Sequence, residues 1–419
     1  MAVTLDATNA QIVNAVASEM VMFGGRIPET TAANIREVGN LIMSSEQMAN
    51  EFLNVLVNRI ARVIVNSRLY ENPLASFKKG TECYGDTIEE IFVNIANASE
   101  YDPQIASREV YKREIPDVSA IYHKLNSKLV YKTTIQDNDL ALAFTSENGM
   151  RTLVTRIVES LYSGANFDEF LSMKELFAAN KPYFSYVVTD APSAASAHNI
   201  VTNIKTVSSL LTFMSEKYNH YGVKTHTPRA NQILLLRADV DALIDVNVLA
   251  SAFNMDKAEF MGRRIVVDNF GTGMDDVYAV LCDETFLMVV NNLDKFTEQY
   301  NGQGLYWNYF WHVWRTYGVS PFANAVAFTT KAFGSATGVT ISPSAKTANK
   351  GDNIQFTANV APSTVPQSVK YTASGMNGGS YITATGFLHV GEEQNGNITV
   401  TATSMYDDSK TKECLVTVS

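Results

Sequence analysis

The motif Asp137-Asn138-Asp139 contains the residue types that open a calcium-binding loop. A complete loop of that kind also needs a glycine at its sixth position, for a sharp turn, and a bidentate glutamate at its twelfth. Counted from Asp137, those positions hold Leu142 and Asn148. The motif therefore predicts a helix cap, a role in which aspartate is favoured, rather than a calcium site.

Two further groups resemble sites without completing them. Asp239, Asp241 and Asp245 could supply an acid and a base, but such a pair needs one carboxyl whose pKa is raised by burial or by its neighbour, and the sequence shows no such burial. We interpret them as the solvated face of a helix. Gly271-Thr272-Gly273 lacks the third glycine and the Lys-Ser/Thr pair of phosphate loops, so it predicts a turn.

Histidine and cysteine are too dispersed for a metal site or for covalent catalysis. His220 and His226 are the closest two histidines, but they lack helical ligand spacing and have no cysteine nearby. No G-x-S-x-G elbow is present. We predict no catalytic residue, no cofactor and no metal, and hence no enzyme. The three cysteines, Cys83, Cys282 and Cys414, lie far apart, which indicates reduced thiols.

The densest aromatic segment runs from Leu305 to Trp314. Such rings could stack on bases or sugars, or they could supply apolar area to a core or a subunit interface. Few cations lie nearby in the sequence, so we favour the core or the interface. Tyr306, Trp307 and Trp311 are the predicted contacts between subunits.

A long hairpin or arm is predicted over residues 67–110. Lys79-Gly80 is a turn signal, and residues 90–95 alternate polar and apolar as strands do. A two-stranded ribbon is marginal in water and leaves its edges unpaired, so it must lie on its own domain or on a neighbouring subunit. We therefore predict Lys78, Lys79 and Phe92 as inter-subunit contacts. The alternative for the two lysines is a solvated turn. Across an interface they would mainly set register.

The rest of the body mixes helices and strands, which indicates an α+β fold. Residues 1–45 are predicted as an N-terminal arm. Apolar periodicity predicts helices over 46–65, 151–162 and 198–219. Strands are predicted over 233–236, 264–267, 278–281, 286–290 and 322–329, with a helix over 238–244.

Residues 338–419 have a different pattern. Turn signals such as Lys350-Gly351-Asp352 and Asn377-Gly378-Gly379 separate short strand-like segments. Strands are predicted over 339–341, 354–360, 369–373, 386–390, 398–403 and 415–418. This pattern is typical of a small antiparallel sandwich. The Gly, Ser and Ala residues of 333–338 predict the linker before it.

Composition excludes several classes of function. The chain has 419 residues and a formal net charge of −10. This balance argues against tight binding of nucleic acid, because duplex affinity comes mainly from Lys and Arg on phosphates. The first residues do not resemble a signal peptide, and no apolar run approaches the ~20 residues of a membrane span. We expect a protein made in a cytoplasm, without membrane association.

Several strings in order resemble the major capsid protein of short-tailed phages of the Bacillus phi-twenty-nine type. They are residues 86–91 (DTIEEI), 134–137 (TIQD), 248–255 (VLASAFNM), 304–309 (GLYWNY) and 322–328 (FANAVAF). The resemblance covers most of residues 40–330. The C-terminal part is similar to bacterial immunoglobulin-like group 2 domains, through Gly351, residues 356–362 (FTANVAP) and 398–403 (ITVTAT), with Tyr371 where a tryptophan is usual.

The resemblance implies the tailed-phage capsid fold of the Hong Kong ninety-seven type, followed by an all-β immunoglobulin-like sandwich. It implies a capsid-fold body over 46–333, with an extended loop at 67–110, a spine helix at 198–219 and an axial domain near 230–310. The sandwich would occupy residues 338–419.

The same resemblance implies a structural role in the virion. Copies of the chain would form the hexamers and pentamers of an icosahedral shell, with a scaffolding protein and a portal as partners. Double-stranded DNA would be enclosed through loose, non-specific contact. The alternative is a bacterial cell-surface or cell-wall-binding protein, since such sandwiches are common there.

Overall fold

A computed structural model describes residues 9–63, 70–81, 85, 87–96, 103, 118–138, 141, 144, 159–251 and 263–419. The α-helices in these ranges are α1 (Asn9–Ala17), α2 (Ile35–Met43), α3 (Glu46–Val63), α4 (Gly164–Ala179), α5 (Ala197–Leu211) and α6 (Ala238–Ser251). A π-helical turn, Glu159–Ser163, precedes α4, and 3-10 turns lie at Gly24–Arg26, Ala75–Phe77, Lys181–Tyr183 and Arg229–Asn231. The predicted helix 151–162 falls largely outside the described residues.

The strands follow in chain order. Those of the body are β1 (Lys78–Thr81), β2 (Thr87–Val93), β3 (Val118–Lys124), β4 (Ser127–Gln136), β5 (Ser185–Val188), β6 (Gln232–Arg237), β7 (Arg263–Val267), β8 (Val277–Asp283), β9 (Leu287–Asn301), β10 (Tyr306–Val319) and β11 (Ala325–Thr329). Those that follow are β12 (Gly338–Ser342), β13 (Ala345–Ala348), β14 (Asn353–Gln355), β15 (Thr357–Ala361), β16 (Val369–Ser374), β17 (Tyr381–Ile382), β18 (Phe387–His389), β19 (Ile398–Ser404) and β20 (Thr411–Val418).

A four-stranded sheet in the order β1-β9-β10-β4 is built around one long hairpin. β9 and β10 pair antiparallel from Asn301↔Tyr306 to Leu287↔Val319, and β1 joins β9 in parallel. Alternate residues of β10 face inward, because side chains of a strand point to opposite faces in turn. The predicted aromatic segment is therefore a strand, with one buried and one more exposed row.

Helices α1, α2 and α3 cover the inward face of this four-stranded sheet. Val13, Ile42 and Phe52 belong to the same buried cluster as Trp311. The helix predicted over 46–65 is confirmed as α3. The separate arm predicted over 1–45 is corrected for residues 9–43, because their apolar side chains complete the core of the body instead of extending from it.

A second sheet has five strands in the order β5-β11-β8-β6-β7. Its central strands are buried on both faces, which explains the uninterrupted apolar run 233–236 of β6. Helices α5 and α6 pack on one face, and α4 with a group of phenylalanines packs on the other. The axial domain predicted near 230–310 would end inside β10. It would also join β9 to the five-stranded sheet, although β9 and β10 belong to the four-stranded sheet.

The helix predicted over 198–219 ends earlier, at Leu211. The Leu211 carbonyl accepts a 2.7 Å hydrogen bond from the Thr227 amide, and Ser215 then bridges to Thr225. The apolar period continues through Met214, but that side chain is exposed because the chain has already turned. α4 differs from α5 in spanning two cores, since Ala165 belongs to that of the four-stranded sheet and Phe177 to that beside the five-stranded one.

The bounds predicted for the hairpin, 67–110, are wrong. β2 pairs antiparallel with β3, from Thr87↔Lys124 to Val93↔Val118, so the partner strand lies beyond residue 110. We call β2 and β3 the ribbon. β1, which was predicted inside the hairpin, belongs to the four-stranded sheet. Sequence pattern finds the strands, but pairing across a long intervening segment depends on tertiary contacts.

Residues 338–419 form sheets β13-β20-β19-β16, β12-β15 and β14-β18-β17. One buried cluster, which includes Phe356, Leu388 and Val400, fills the space between them. We call this region the C-terminal domain. Five of the six predicted strands are confirmed, as β12, β16, β18, β19 and β20. The sixth, predicted over 354–360, is corrected: it is divided into β14 and β15, which belong to different sheets. β13 and β17 are additional.

Candidate subunit interface

The acidic groups singled out in the sequence are paired with arginines. Arg237 donates to both carboxylate oxygens of Asp239, at 2.6 and 2.8 Å, and these hydrogen bonds lower the pKa of that carboxyl. Arg264 pairs with Asp241 and, at 3.2 Å, with Asp245. The three aspartates are thus neutralised members of ion pairs rather than an acid and base pair. The sequence did not reveal the arginines, which come from β6 and β7.

The other two motifs serve the fold. Asp137 accepts a 3.1 Å hydrogen bond from the Tyr300 hydroxyl, and its amide donates to the Leu305 carbonyl, so it holds β4 to the β9–β10 hairpin. Asp139 lies outside the described residues. Gly271 has φ of 89°, and a Cβ there would lie 2.9 Å from the Lys174 carbonyl. The Gly271-Thr272-Gly273 segment is therefore a tight turn packed on α4.

No three His, Cys, Asp or Glu side chains in the described ranges come together as they would around a metal ion. His220 is placed where two parts of the chain meet. Its Nδ1 lies 3.0 Å from both the Pro182 carbonyl and the Ser368 hydroxyl. Burial lowers the pKa of His220 to about 4, so its imidazole is neutral at pH 7.

Trp307 and Trp311 are core residues of this chain, 4% and 6% exposed. Trp311 stacks on Phe296 at 5.5 Å with a 3° angle between the rings. Tyr306 is half-buried, and its hydroxyl accepts a hydrogen bond from Asn301. Trp307 and Trp311 therefore expose little surface that a neighbouring subunit could contact. Contact with a neighbour remains a prediction chiefly for Tyr306.

The outer row of β10 is covered by lysines of β4. Lys128 lies over the Trp314 ring at 4.7 Å, and Lys132 lies over Phe310 at 5.9 Å. Cations in these positions are attracted by the negative faces of the rings. These lysines could not be predicted from the sequence, because β4 is more than 170 residues away from β10 along the chain. Only the pairing of the two strands brings the lysines next to the aromatic rings.

Lys78 belongs to a largely buried ionic group between β1, α4 and β10. Its Nζ lies 3.0 Å from Glu169 Oε2, and Arg315 contacts the same oxygen. Asn72 donates to Glu169 Oε1 at 2.7 Å. Lys79 is exposed and donates to the Glu284 carbonyl at 3.0 Å. The first lysine thus fixes β1 to α4 and β10 within the chain, while the second remains at the surface.

The ribbon has two different faces. On the inner face, Phe92 stacks on Phe322 at 5.3 Å, and Glu90 contacts His123 and Ser320. On the outer face, Ile91, Val93 and Tyr122 are 59%, 56% and 60% exposed. Phe92, predicted to contact a neighbour, therefore touches its own chain, while the apolar residues beside it face outward.

Helix α4 also exposes apolar side chains. Phe167 and Leu171 are exposed one helical turn apart, and Tyr70 lies edge-on to Phe167 at 5.7 Å. Residues four apart lie on one face of a helix. The exposed row therefore forms one continuous patch, which we call the α4 patch. The α4 patch was not predicted from the sequence, because no helix was predicted over residues 163–180.

Among the described helices, none combines the length and apolar character needed to cross a lipid bilayer. The sequence profile of the family described as "Phi29-like phage major capsid protein" matches residues 12–329. The major capsid protein of Bacillus phage PZA is 36% identical over 401 residues, covering 94% of this chain and 89% of that protein. That of Bacillus phage B103 is also 36% identical, over 402 residues.

The fold is shared with solved shells. The capsid structure of Staphylococcus phage Andhra superposes with a TM-score of 0.51 at 14% identity, over 64% of this chain and 86% of that one. This likeness shows the fold of tailed-phage capsid proteins. Together with the match over 12–329, it means that the chain belongs to the Phi29-like phage major capsid protein family, and that it is a structural component of the virion rather than an enzyme or a cell-surface protein.

Proposed function

We propose that this chain forms the phage head by joining copies of itself through the outer face of the ribbon. The supporting observation is the exposed apolar surface on that ribbon. Isolated two-stranded ribbons are marginal, and exposed apolar patches mark contact sites. The copies would be arranged as hexamers and pentamers of an icosahedral shell.

The α4 patch of a neighbouring copy is the proposed counterpart. It offers Tyr70, Phe167 and Leu171 to the ribbon residues Ile91 and Val93. Complete burial of an apolar side chain contributes about 1.5–3 kcal/mol. These side chains are already partly buried, so each gains only a fraction of that free energy, which suits a weak contact that is repeated many times. We propose that α4, which contributes to both the core of the four-stranded sheet and the core beside the five-stranded sheet, takes the place of the spine helix predicted over 198–219.

The remaining partners follow from charge and from family membership. The formal net charge of −10 favours loose containment of double-stranded DNA over tight binding, because acidic side chains outnumber the Lys and Arg that would neutralise phosphates. A scaffolding protein and a portal are proposed as assembly partners. The C-terminal domain is proposed to be an immunoglobulin-like group 2 sandwich, which its all-β sheets around one core support.

Single lysine substitutions test the interface. Ile91→Lys and Leu171→Lys should leave the far-UV circular dichroism and the cooperative unfolding of the chain intact, because both side chains are exposed. Both should abolish or strongly reduce shells, measured by sedimentation and electron microscopy of protein made alone and with the scaffolding protein. Leu415→Lys is the matched control and should assemble normally, because Leu415 of β20 has an exposure between those of Ile91 and Leu171. Shells at normal yield from Ile91→Lys would refute the role of the ribbon.

A further inference from the structure

The C-terminal domain contacts the body at Pro182 and at one loop, residues 216–222, which we call the docking loop. The Ser368 hydroxyl donates to the Pro182 carbonyl at 2.7 Å and lies 3.0 Å from His220 Nδ1. Lys370 pairs with Glu216. Inter-domain surfaces that are small and polar normally allow relative motion. The buried hydrogen bonds at Ser368 oppose it, because each loses its partner when the domain moves away.

The backbone of the docking loop is shaped for this contact. Gly222 has φ of 62°, and a Cβ there would lie 3.1 Å from Met405 Sδ and 3.2 Å from Lys370 Cβ. Met405 and Lys370 of the C-terminal domain therefore pack so closely on Gly222 that a larger residue there would overlap with them. Phe333, the first residue of the predicted linker, adds an edge-on contact to Tyr186 at 4.9 Å.

The docking loop also contacts residues 318–322, which we call the bridge segment. The His220 amide donates to the Pro321 carbonyl at 3.1 Å, and the Tyr221 ring lies 5.7 Å from that of Phe322. One side of the bridge segment is thus held by the loop on which the C-terminal domain rests.

The other side of the bridge segment carries the ribbon. Phe322 stacks on Phe92 at 5.3 Å with an angle of 18°, and buried Ser320 donates to Glu90. At Gly318 a Cβ would lie 2.4 Å from His123 Nδ1, so only glycine lets the ribbon approach this closely. The ribbon, the bridge segment, the docking loop and the C-terminal domain are therefore in continuous contact.

We propose that the C-terminal domain is a buttress, which holds the ribbon in place through the docking loop and the bridge segment. Contact by itself does not show coupling; coupling requires that a change at one end alters the other. The proposal concerns the single chain, so its test needs no shell, and its failure would leave the proposed assembly contact unaffected.

Hydrogen exchange on the unassembled full-length chain measures the coupling. Lys370→Glu places two carboxylates together at Glu216, which should loosen the docking. Loss of one hydrogen bond or ion pair in such a network should speed amide exchange in β2 and β3 about three- to tenfold. Ser368→Ala, a smaller change, should act in the same direction. Exchange in β19 and β20 should stay unchanged in both variants, which shows that the C-terminal domain remains folded.

Two further variants make the result decisive. Glu216→Lys combined with Lys370→Glu restores the opposite charges and should restore slow exchange in the ribbon. Lys412→Glu makes the same charge change on an exposed position of β20 and should have no effect on the ribbon. Faster exchange in the docking loop with an unchanged ribbon would overturn the buttress, and so would unchanged exchange in both.

Discussion

Glu169 is the most deeply buried of the acidic side chains described above. It is almost fully buried, and it faces Lys78, Arg315 and Asn72 at the meeting point of β1, α4 and β10. Removing one partner of a buried ion pair leaves the others uncompensated in a medium of low polarity. The group therefore matters more for the precise junction of these elements than for the net stability that it adds.

Glu169→Ala should lower the free energy of unfolding by about 3–5 kcal/mol, because two cations lose their counterion. Urea unfolding followed by circular dichroism measures this change. Asp239→Ala is the control, since it breaks an exposed pair with Arg237 and should cost about 1 kcal/mol or less. Equal losses in the two variants would show that the buried group is no more important than a surface pair.

Residue types alone allowed only part of this to be predicted. The absence of a complete calcium or phosphate motif at Asp137 and Gly271 could be recognised locally, because those sites need fixed spacings. The partner of Lys78 could not, since Glu169 and Arg315 are remote in sequence and only the fold brings them together. The same holds for Arg264 beside Asp241.

Strand β10 shows how one element serves two environments. Trp311, in its buried row, packs against Phe296 and Tyr162, whereas Trp314 lies in the outer row under Lys128. The alternation follows from strand geometry. The aromatic content of the segment was visible in the sequence, but which tryptophan faces the core depends on the register with β9.

Trp311→Ala should lower the free energy of unfolding by about 3–5 kcal/mol, because it leaves a cavity among packed rings. Trp314→Ala, three residues along the same strand, should cost about 1 kcal/mol or less, since it loses mainly the contact with Lys128. Chemical unfolding of the two variants side by side measures the difference. If Trp314→Ala proved the more damaging, the assignment of the two rows would be reversed.

The elements that were predicted least well are those whose ends depend on tertiary contacts. Apolar periodicity continued past Leu211, but the helix stops where Thr227 takes its last carbonyl. The ribbon needed a partner strand beyond residue 110, and no local signal pairs Thr87 with Lys124. In contrast, β6 and α3 could be predicted from the sequence. Burial on both faces gives β6 an uninterrupted apolar run, and burial on one face gives α3 an apolar residue at every third or fourth position.

At the scale of the whole molecule, the chain has separate cores. The clusters of the body contain no residue beyond 329. The C-terminal domain, together with Ala336 of the linker, forms a separate cluster that extends to Val416. Apolar burial is the main favourable term in folding, so the body has what it needs to fold without the C-terminal domain. What the C-terminal domain adds is the contact with the docking loop.

Deleting residues 336–419 should therefore leave a body that unfolds cooperatively and still forms shells. Shell formation should require a protein concentration about three- to tenfold higher, because the ribbon loses the hydrogen bonds that hold its support. Light scattering against protein concentration measures the threshold, with near-UV circular dichroism as the test of folding. Lys370→Glu, which keeps the C-terminal domain but weakens its docking, should raise the threshold in the same direction. A truncated body that folds but forms no shell at any concentration would mean that the C-terminal domain itself bonds neighbouring copies, and a threshold that does not move would mean that the ribbon needs no buttress to assemble.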